Sequence, residues 1–179
     1  MQPTSTIPEG LDLIPTRNGS IVREVWRGWE IIPLALFACV WDAFLVFWYS
    51  MATKAESIPW IVVVFPLGHV AVGVGITYSV FALLVNRKDV VISPGSVQVI
   101  IGPLPWLGNK TVKNDEIRGV LVRERTSGKR GFSYQIMYVD RARKERCLVA
   151  SVKRSEQAEF IAGMIRQILP PSVQTDGVP

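Results

Sequence analysis

Histidine is nearly absent from this sequence and cysteine almost equally so: His69 stands alone, and Cys39 and Cys147 are the only thiols. With its one imidazole inside an apolar stretch, the chain cannot assemble a serine–histidine–aspartate relay, and neither cysteine has a neighbouring base to activate it. Two thiols do not fill a tetrahedral zinc site by themselves. Cys39 falls in an apolar segment and Cys147 in a polar one, so no disulfide joins them. Paired carboxylates suited to acid–base work are lacking too, because Asp140 and Glu145 are interleaved with arginines and read as ion-pair partners. The residues predict no enzyme, no cofactor and no metal centre.

Charge is missing from two long stretches. Residues 31–50 contain one charged side chain, Asp42, and residues 59–85 contain none, with His69 as the group nearest to titrating at neutral pH. A hydrocarbon core about 30 Å thick is crossed by roughly 20 helical residues, and both stretches reach that length. Transmembrane helices are expected at 31–50 and 59–85, joined by an extracytoplasmic turn at 51–58. Residues 1–10 lack Lys and Arg, and the first apolar run starts only at Ile31. The first span therefore reads as permanent rather than as a cleaved signal.

Details within these stretches agree. Pro33 and Pro59 suit the first turn of a helix, whereas Pro66 lies one turn deeper and predicts a kink. Trp26, Trp29, Trp48, Tyr49 and Trp60 cluster at the span edges, where aromatic belts form. Arg17, Arg23 and Arg27 precede the first span, Arg87 and Lys88 follow the second, and the turn has only Lys54. The positive-inside bias then places both termini in the cytoplasm.

Asp42 and His69 each lie about 12–14 Å from the same membrane face at 1.5 Å per residue. Sharing a depth, they are expected to satisfy one another by a hydrogen bond or ion pair, within one chain or between two. Two other readings stand beside this: an Asp42 wetted from the interface, or a proton or ion path built by several chains. Small residues recur every four positions, as Ala35, Cys39 and Ala43 on the first helix and Ala71, Gly75 and Ser79 on the second. Such rows let helices approach closely in lipid, and they are the expected seam.

The rest of the chain changes period. Residues 1–30 read as a flexible N-terminus carrying a β-hairpin, with apolar-bearing runs at 11–14 and 21–26 around Asn18-Gly19. Period-two alternation predicts strands at 96–101, 116–123, 133–139 and 145–150, with a tight turn at Ser93-Pro94-Gly95. Ser155 is the expected N-cap of a final helix whose apolar stripe is Ala158, Ile161, Ile165 and Ile168. Pro170-Pro171 ends it, and 171–179 reads as a disordered tail. The expected fold is a membrane α-helical hairpin plus an α+β domain at 86–170, an antiparallel PH-like β barrel capped by a C-terminal amphipathic helix.

Residues 86–93, Gly102-Pro103-Leu104-Pro105-Trp106 and Glu116-Ile117-Arg118-Gly119-Val120 resemble segments of bacterial membrane proteins that join a two-helix hairpin to a small PH-like domain. Trp41-Asp42-Ala43-Phe44 and Phe47-Trp48-Tyr49 are similar to the spans of that family. The resemblance covers most of residues 11–170 and implies an inner-membrane location. It carries over no functional residues. Residues 93–102 lack the basic cluster with which eukaryotic PH domains recognise phosphoinositides.

Residues 86–170 hold 16 Lys and Arg against 8 Asp and Glu. Lys129, Arg130, Arg141, Arg143 and Lys144 fall at expected hairpin tips. They are candidate contacts for an anionic inner leaflet or a partner, worth about 1 kcal/mol each near such a surface; the competing reading is a solvated face. No aromatic-interleaved basic motif points to nucleic acid. Pro103-Leu104-Pro105-Trp106-Leu107 either dips into the membrane or packs Trp106 over the core, and packing is the preferred expectation. The function expected is a noncatalytic binding or scaffolding module, with the bilayer and a protein partner or second copy as its contacts. The alternatives are an accessory subunit of a larger membrane complex, or a small oligomeric ion or proton transporter using Asp42 and His69.

Overall fold

Among the described residues, short alternating runs rich in valine and isoleucine build eight strands, and the two long apolar stretches build helices. The computed structural model describes residues 7–25, 28–29, 31–54, 59–126 and 132–169. The chain divides into two units, one of residues up to Val25 together with those from Arg87 onward, the other of residues 26–86.

In the first unit, β1 (Leu11–Thr16) and β2 (Gly19–Val25) form the hairpin that Asn18-Gly19 announces, each strand running two residues closer to the turn than expected. Gly19 has φ +147°, and a Cβ there would collide with the Ile92 carbonyl, so close approach of the next strand requires glycine. That strand is β3 (Arg87–Ile92), which pairs antiparallel with β2 from Ser20–Ile92 to Val25–Arg87. With β4 (Ser96–Gly102) and β5 (Lys110–Lys113) it completes a five-stranded sheet in chain order. Two of the five strands thus come from residues that precede the long helices.

A 3-10 turn at Asn114–Glu116 interrupts the meander, and β6 (Gly119–Thr126), β7 (Phe132–Val139) and β8 (Glu145–Val152) form a separate three-stranded antiparallel sheet. The expected closed barrel is therefore replaced, among the described residues, by two open sheets. Asn114 supplies the physical reason at one opening. Its N–H donates to the Gly95 carbonyl at 3.1 Å and its amide to the Ser93 carbonyl at 2.8 Å, pinning the chain to the β3–β4 turn.

The C-terminal helix of this unit (Ser155–Ile168) places Ala158, Ile161, Ala162 and Ile165 at i, i+3, i+4 and i+7, and they enter one core with residues of both sheets. Val22, Val90, Ile136, Val149, Ile161 and Ile165 are each at most 1% exposed, and burying such side chains stabilises by about 1.5–3 kcal/mol apiece. Ser155 is the first helical residue rather than the cap. Arg154 holds the cap position without a side-chain bond there, and its guanidinium reaches Glu9 at 2.9 Å.

Two lysines join the sheets. Lys88 and Glu24, 3% and 5% exposed, pair at 2.9 Å across β3 and β2. The Lys88 ammonium also donates to the Ala150 carbonyl of β8 at 2.9 Å, beside Ser151, whose φ is +56°. Lys110 of β5 donates to the Cys147 carbonyl at 2.7 Å and lies 5.3 Å from the Tyr138 ring centroid. Lys88, read from sequence as a base flanking a span, is instead an interior ion-pair partner.

In the second unit, α1 (Ile31–Ala52) extends two residues past its expected end, while the second stretch divides into α2 (Trp60–Val64) and α3 (Leu67–Val85) around Phe65-Pro66; the C-terminal helix is α4. Pro66 has no N–H for the Val62 carbonyl. That carbonyl accepts the Trp48 indole N–H at 3.4 Å, and the Val63 carbonyl accepts the Tyr49 hydroxyl at 3.2 Å. The 22-residue α1 and the 26-residue α2–α3 run contain stretches of mean hydropathy 2.1 and 1.9, long and apolar enough to cross a membrane. Trp26 and Arg27 lie outside the described residues, as do residues 55–58 of the connecting turn.

Lys88→Met should cost about 3–5 kcal/mol, since it strands a buried carboxylate, whereas Glu24→Leu combined with Lys88→Met should recover most of that loss. Denaturant unfolding of the full chain in detergent measures both. A single variant as stable as the parent would remove the ion pair from any structural role.

Candidate functional site

Asp42 and Thr77 belong to a seam between α1 and α3 with a seven-residue repeat. Ile31, Ala38 and Leu45 are buried on α1, with Leu34, Ala35, Trp41 and Asp42 partly so; Gly73, Val80 and, outside that repeat, Ala82 are buried on α3, with Ile76, Thr77 and Leu83 partly so. Such spacing keeps one stripe of each helix against its neighbour.

Asp42 stands near the middle of α1, about 15 Å from either end at 1.5 Å per residue. Its carboxylate accepts the Thr77 hydroxyl at 2.7 Å. Gly73 makes room for it, as a Cβ there would lie 2.8 Å from Asp42 Oδ1 and 3.1 Å from the Trp41 ring. His69 has other neighbours. Its ring stacks on Trp41 at 5.8 Å between centroids and tilts against Phe65 at 5.3 Å, while its backbone carbonyl accepts the Trp41 indole N–H at 3.1 Å. Within one chain, then, Thr77, two turns from His69, presents its hydroxyl to Asp42 and the imidazole stays against aromatic rings.

The small-residue seam is corrected. Ala35 packs in the interface, but Cys39, Ala43, Ala71 and Gly75 are exposed, and nothing lies within 4 Å of a Cβ built on Gly75. Ser79 is half-buried and donates to the Gly75 carbonyl of its own helix at 2.7 Å. A four-residue row drifts around a helix relative to a seven-residue one, so Ala35 shares the seam with Asp42 while Cys39 and Ala43 rotate away from it. Gly73 is the small residue that faces Asp42, and a Cβ there would crowd the carboxylate.

On the globular unit several of the basic side chains are engaged in ion pairs. Arg141 donates to the Asp115 carboxylate at 2.6 Å and to its carbonyl at 2.9 Å, Arg146 reaches Asp140 at 2.7 Å, and Arg123 reaches Glu145 at 2.8 Å. Asp140 also accepts the N–H groups of Ala142 and Lys144, closing the β7–β8 turn in which Arg143 has φ +57°. Arg143 and Lys144 remain solvent-facing without an ion pair among the described residues. Lys129 and Arg130 lie outside those residues. Arg141 and Arg146 share an open cleft of about 350 Å³ with Glu116, Tyr138 and Asp140. Its two arginines are already neutralised by carboxylates, which leaves it poor equipment for an anion. Burial pushes the Cys147 thiol up, against the pull of Lys110, Arg125 and Lys88, so it is a weak nucleophile.

No family model matches this chain, and no curated protein matches it.

Thr77→Val should destabilise the helical pair by about 1 kcal/mol. Gly73→Ala should destabilise it more, while Gly75→Ala should be silent. Thermal unfolding in detergent ranks the three, and a harmful Gly75→Ala beside a harmless Gly73→Ala would restore the four-residue seam. In the β7–β8 turn, the Arg146 guanidinium and the N–H groups of Lys144 and Ala142 hold the Asp140 carboxyl below its ordinary range. A depressed folded value means that its stabilisation is complete above about pH 4 and is lost as pH falls through the lowered value. Hydrogen-exchange protection at residues 142–144 should fall over that acid range in the parent and not in Asp140→Asn.

Proposed function

We propose that this is an integral membrane protein, a two-span hairpin that presents a PH-like binding or scaffolding module in the cytoplasm. It works without catalysis. One observation carries the topology: β2, which ends at Val25, pairs with β3, which begins at Arg87. Strands in one sheet occupy one compartment, so residues before and after the spans lie on the same side of the bilayer. The arginine count near the span ends favours the cytoplasmic side of an inner membrane. Antiparallel strands in chain order, followed by a C-terminal helix packed across both sheets, support the PH-like reading.

A binding role fits the chemistry. Cys147 is held away from thiolate, His69 is stacked among rings, and Asp140 and Glu145 are engaged by arginines. Arg143 and Lys144 at an exposed turn are the surface groups best suited to an acidic partner or anionic lipid. Separate partners for Asp42 and His69 count against a proton path linking them.

Activity reporters fused at Met1 and at Pro179 should both score as cytoplasmic, and the protein should resist alkaline carbonate extraction. Reporters scoring in opposite compartments, or release by carbonate, would sink the topology. Purified from native membranes in mild detergent, the chain should migrate with a stoichiometric second protein or second copy, and charge reversal at Arg143 and Lys144 should release it or reduce binding to anionic vesicles. A lone monomer indifferent to both substitutions in both assays would remove the binding role.

A further inference from the structure

We propose that the β4–β5 loop, residues 103–109, is a membrane-interface anchor whose tip, Leu107 beside Trp106, enters the headgroup–acyl boundary of the bilayer that the long helices cross. The inference rests on reading those helices as spans. Exposure is the first observation. Leu107 is 92% exposed, more than any other large apolar side chain among the described residues. An isolated exposed leucine is ordinary on a protein surface, so position and chemistry have to decide what this one meets.

Position comes from the sheet register. Val25 pairs with Arg87, and Arg87 with Gly102, so these three residues form one row at the end of the sheet. At that row the chain leaves β2 for residues 26–86 and returns into β3, and Asn86 alone separates α3 from Arg87. The loop that follows Gly102 springs from the same row, where adjacent strands lie about 4.8 Å apart. Val25 and Ile100, near this end, are also exposed, at 41% and 45%.

The chemistry agrees. From Val90 to Asn109 there is no Asp, Glu, Lys or Arg, in a unit otherwise dense with charge. Trp106 behind Leu107 is half-buried, and a tryptophan next to an exposed tip suits the membrane interface because its ring is apolar and its N–H is polar. Pro103 and Pro105 restrict the loop, so less conformational freedom is lost when its tip is immobilised. Asn109 Oδ1 accepts the Ile101 N–H at 2.7 Å and closes the loop at its base.

The test labels Leu107→Cys with an environment-sensitive fluorophore in the full chain bearing Cys39→Ala and Cys147→Ala, reconstituted into phosphatidylcholine–phosphatidylglycerol vesicles. Leu107 touches little, so the label does not burden folding. Val46→Cys on the exposed face of α1 and Glu124→Cys on β6 are the references. Lipids carrying a nitroxide near the headgroup should quench the Leu107 probe about twofold or more beyond the Glu124 probe, with iodide quenching reduced to match. Iodide access equal to that at Glu124, while a deep nitroxide quenches Val46, overturns the anchor and leaves the spans standing. Shielding from iodide without lipid quenching overturns it in favour of a protein contact. A Val46 probe that no nitroxide reaches removes the spans, and the anchor with them.

Discussion

Glu24 and Lys88 meet at 2.9 Å across the one ladder that joins residues before the long helices to residues after them, and neither is more than 5% exposed. Two charges taken out of water are tolerable only when paired and further hydrogen-bonded, which the Ala150 carbonyl helps to supply for Lys88. A slip of one residue between β2 and β3 would turn one charge out of register and send its partner alone into the core. The pair therefore does more for the uniqueness of the ladder than for its net free energy. Fixing that ladder fixes the path of residues 26–86 as well. They leave and return at one row of the sheet, which is compatible with an even number of bilayer crossings and incompatible with an odd one.

Open sheets leave edge carbonyls without ladder partners, a standing invitation to pair with other chains. Here long basic side chains occupy several of them. Lys88 and Lys110 serve Ala150 and Cys147 on β8, and Arg166 of α4 donates to the Val120 carbonyl of β6 at 3.1 Å. An apolar stem that packs and a charged head with several donors suit lysine and arginine to that task. Ladder closure was the expectation for this arrangement of strands, and side-chain donors now stand at some of the places it would have filled. Pro15 in β1 serves a related purpose, because proline on an edge strand blocks further pairing.

What was legible in the sequence was local. Asn18-Gly19, the two long apolar stretches, the break at Pro66 and the stripe of α4 each follow from residues within a few turns of one another. The pairing of β2 with β3, from Val25–Arg87 to Ser20–Ile92, joins residues far apart in the chain and leaves no short-range trace. Even so, a signal was there: Val22 and Glu24 alternate on one strand, as do Lys88, Val90 and Ile92 on the next, so both charges share the buried face. Arg87-Lys88-Asp89 hid this by looking like a charged span flank. At four residues, β5 is too short for its alternation to register.

The same contrast explains the helical pair. Small residues at four-residue spacing are visible by inspection, but the choice between that row and a seven-residue row depends on what the neighbouring helix offers. Trp41 and Asp42 need space opposite them, and Gly73 is the position on α3 that provides it. Once Gly73 faces Asp42, Thr77 comes one turn further along the same face and its hydroxyl is in reach. Hydrogen bonds between helices in lipid average well under 2 kcal/mol, too little to hold the pair together against poor packing. The carboxylate's use is directional, as with a lone polar residue in a coiled-coil seam: it favours the rotation of α1 against α3 that brings the Thr77 hydroxyl within reach of Asp42.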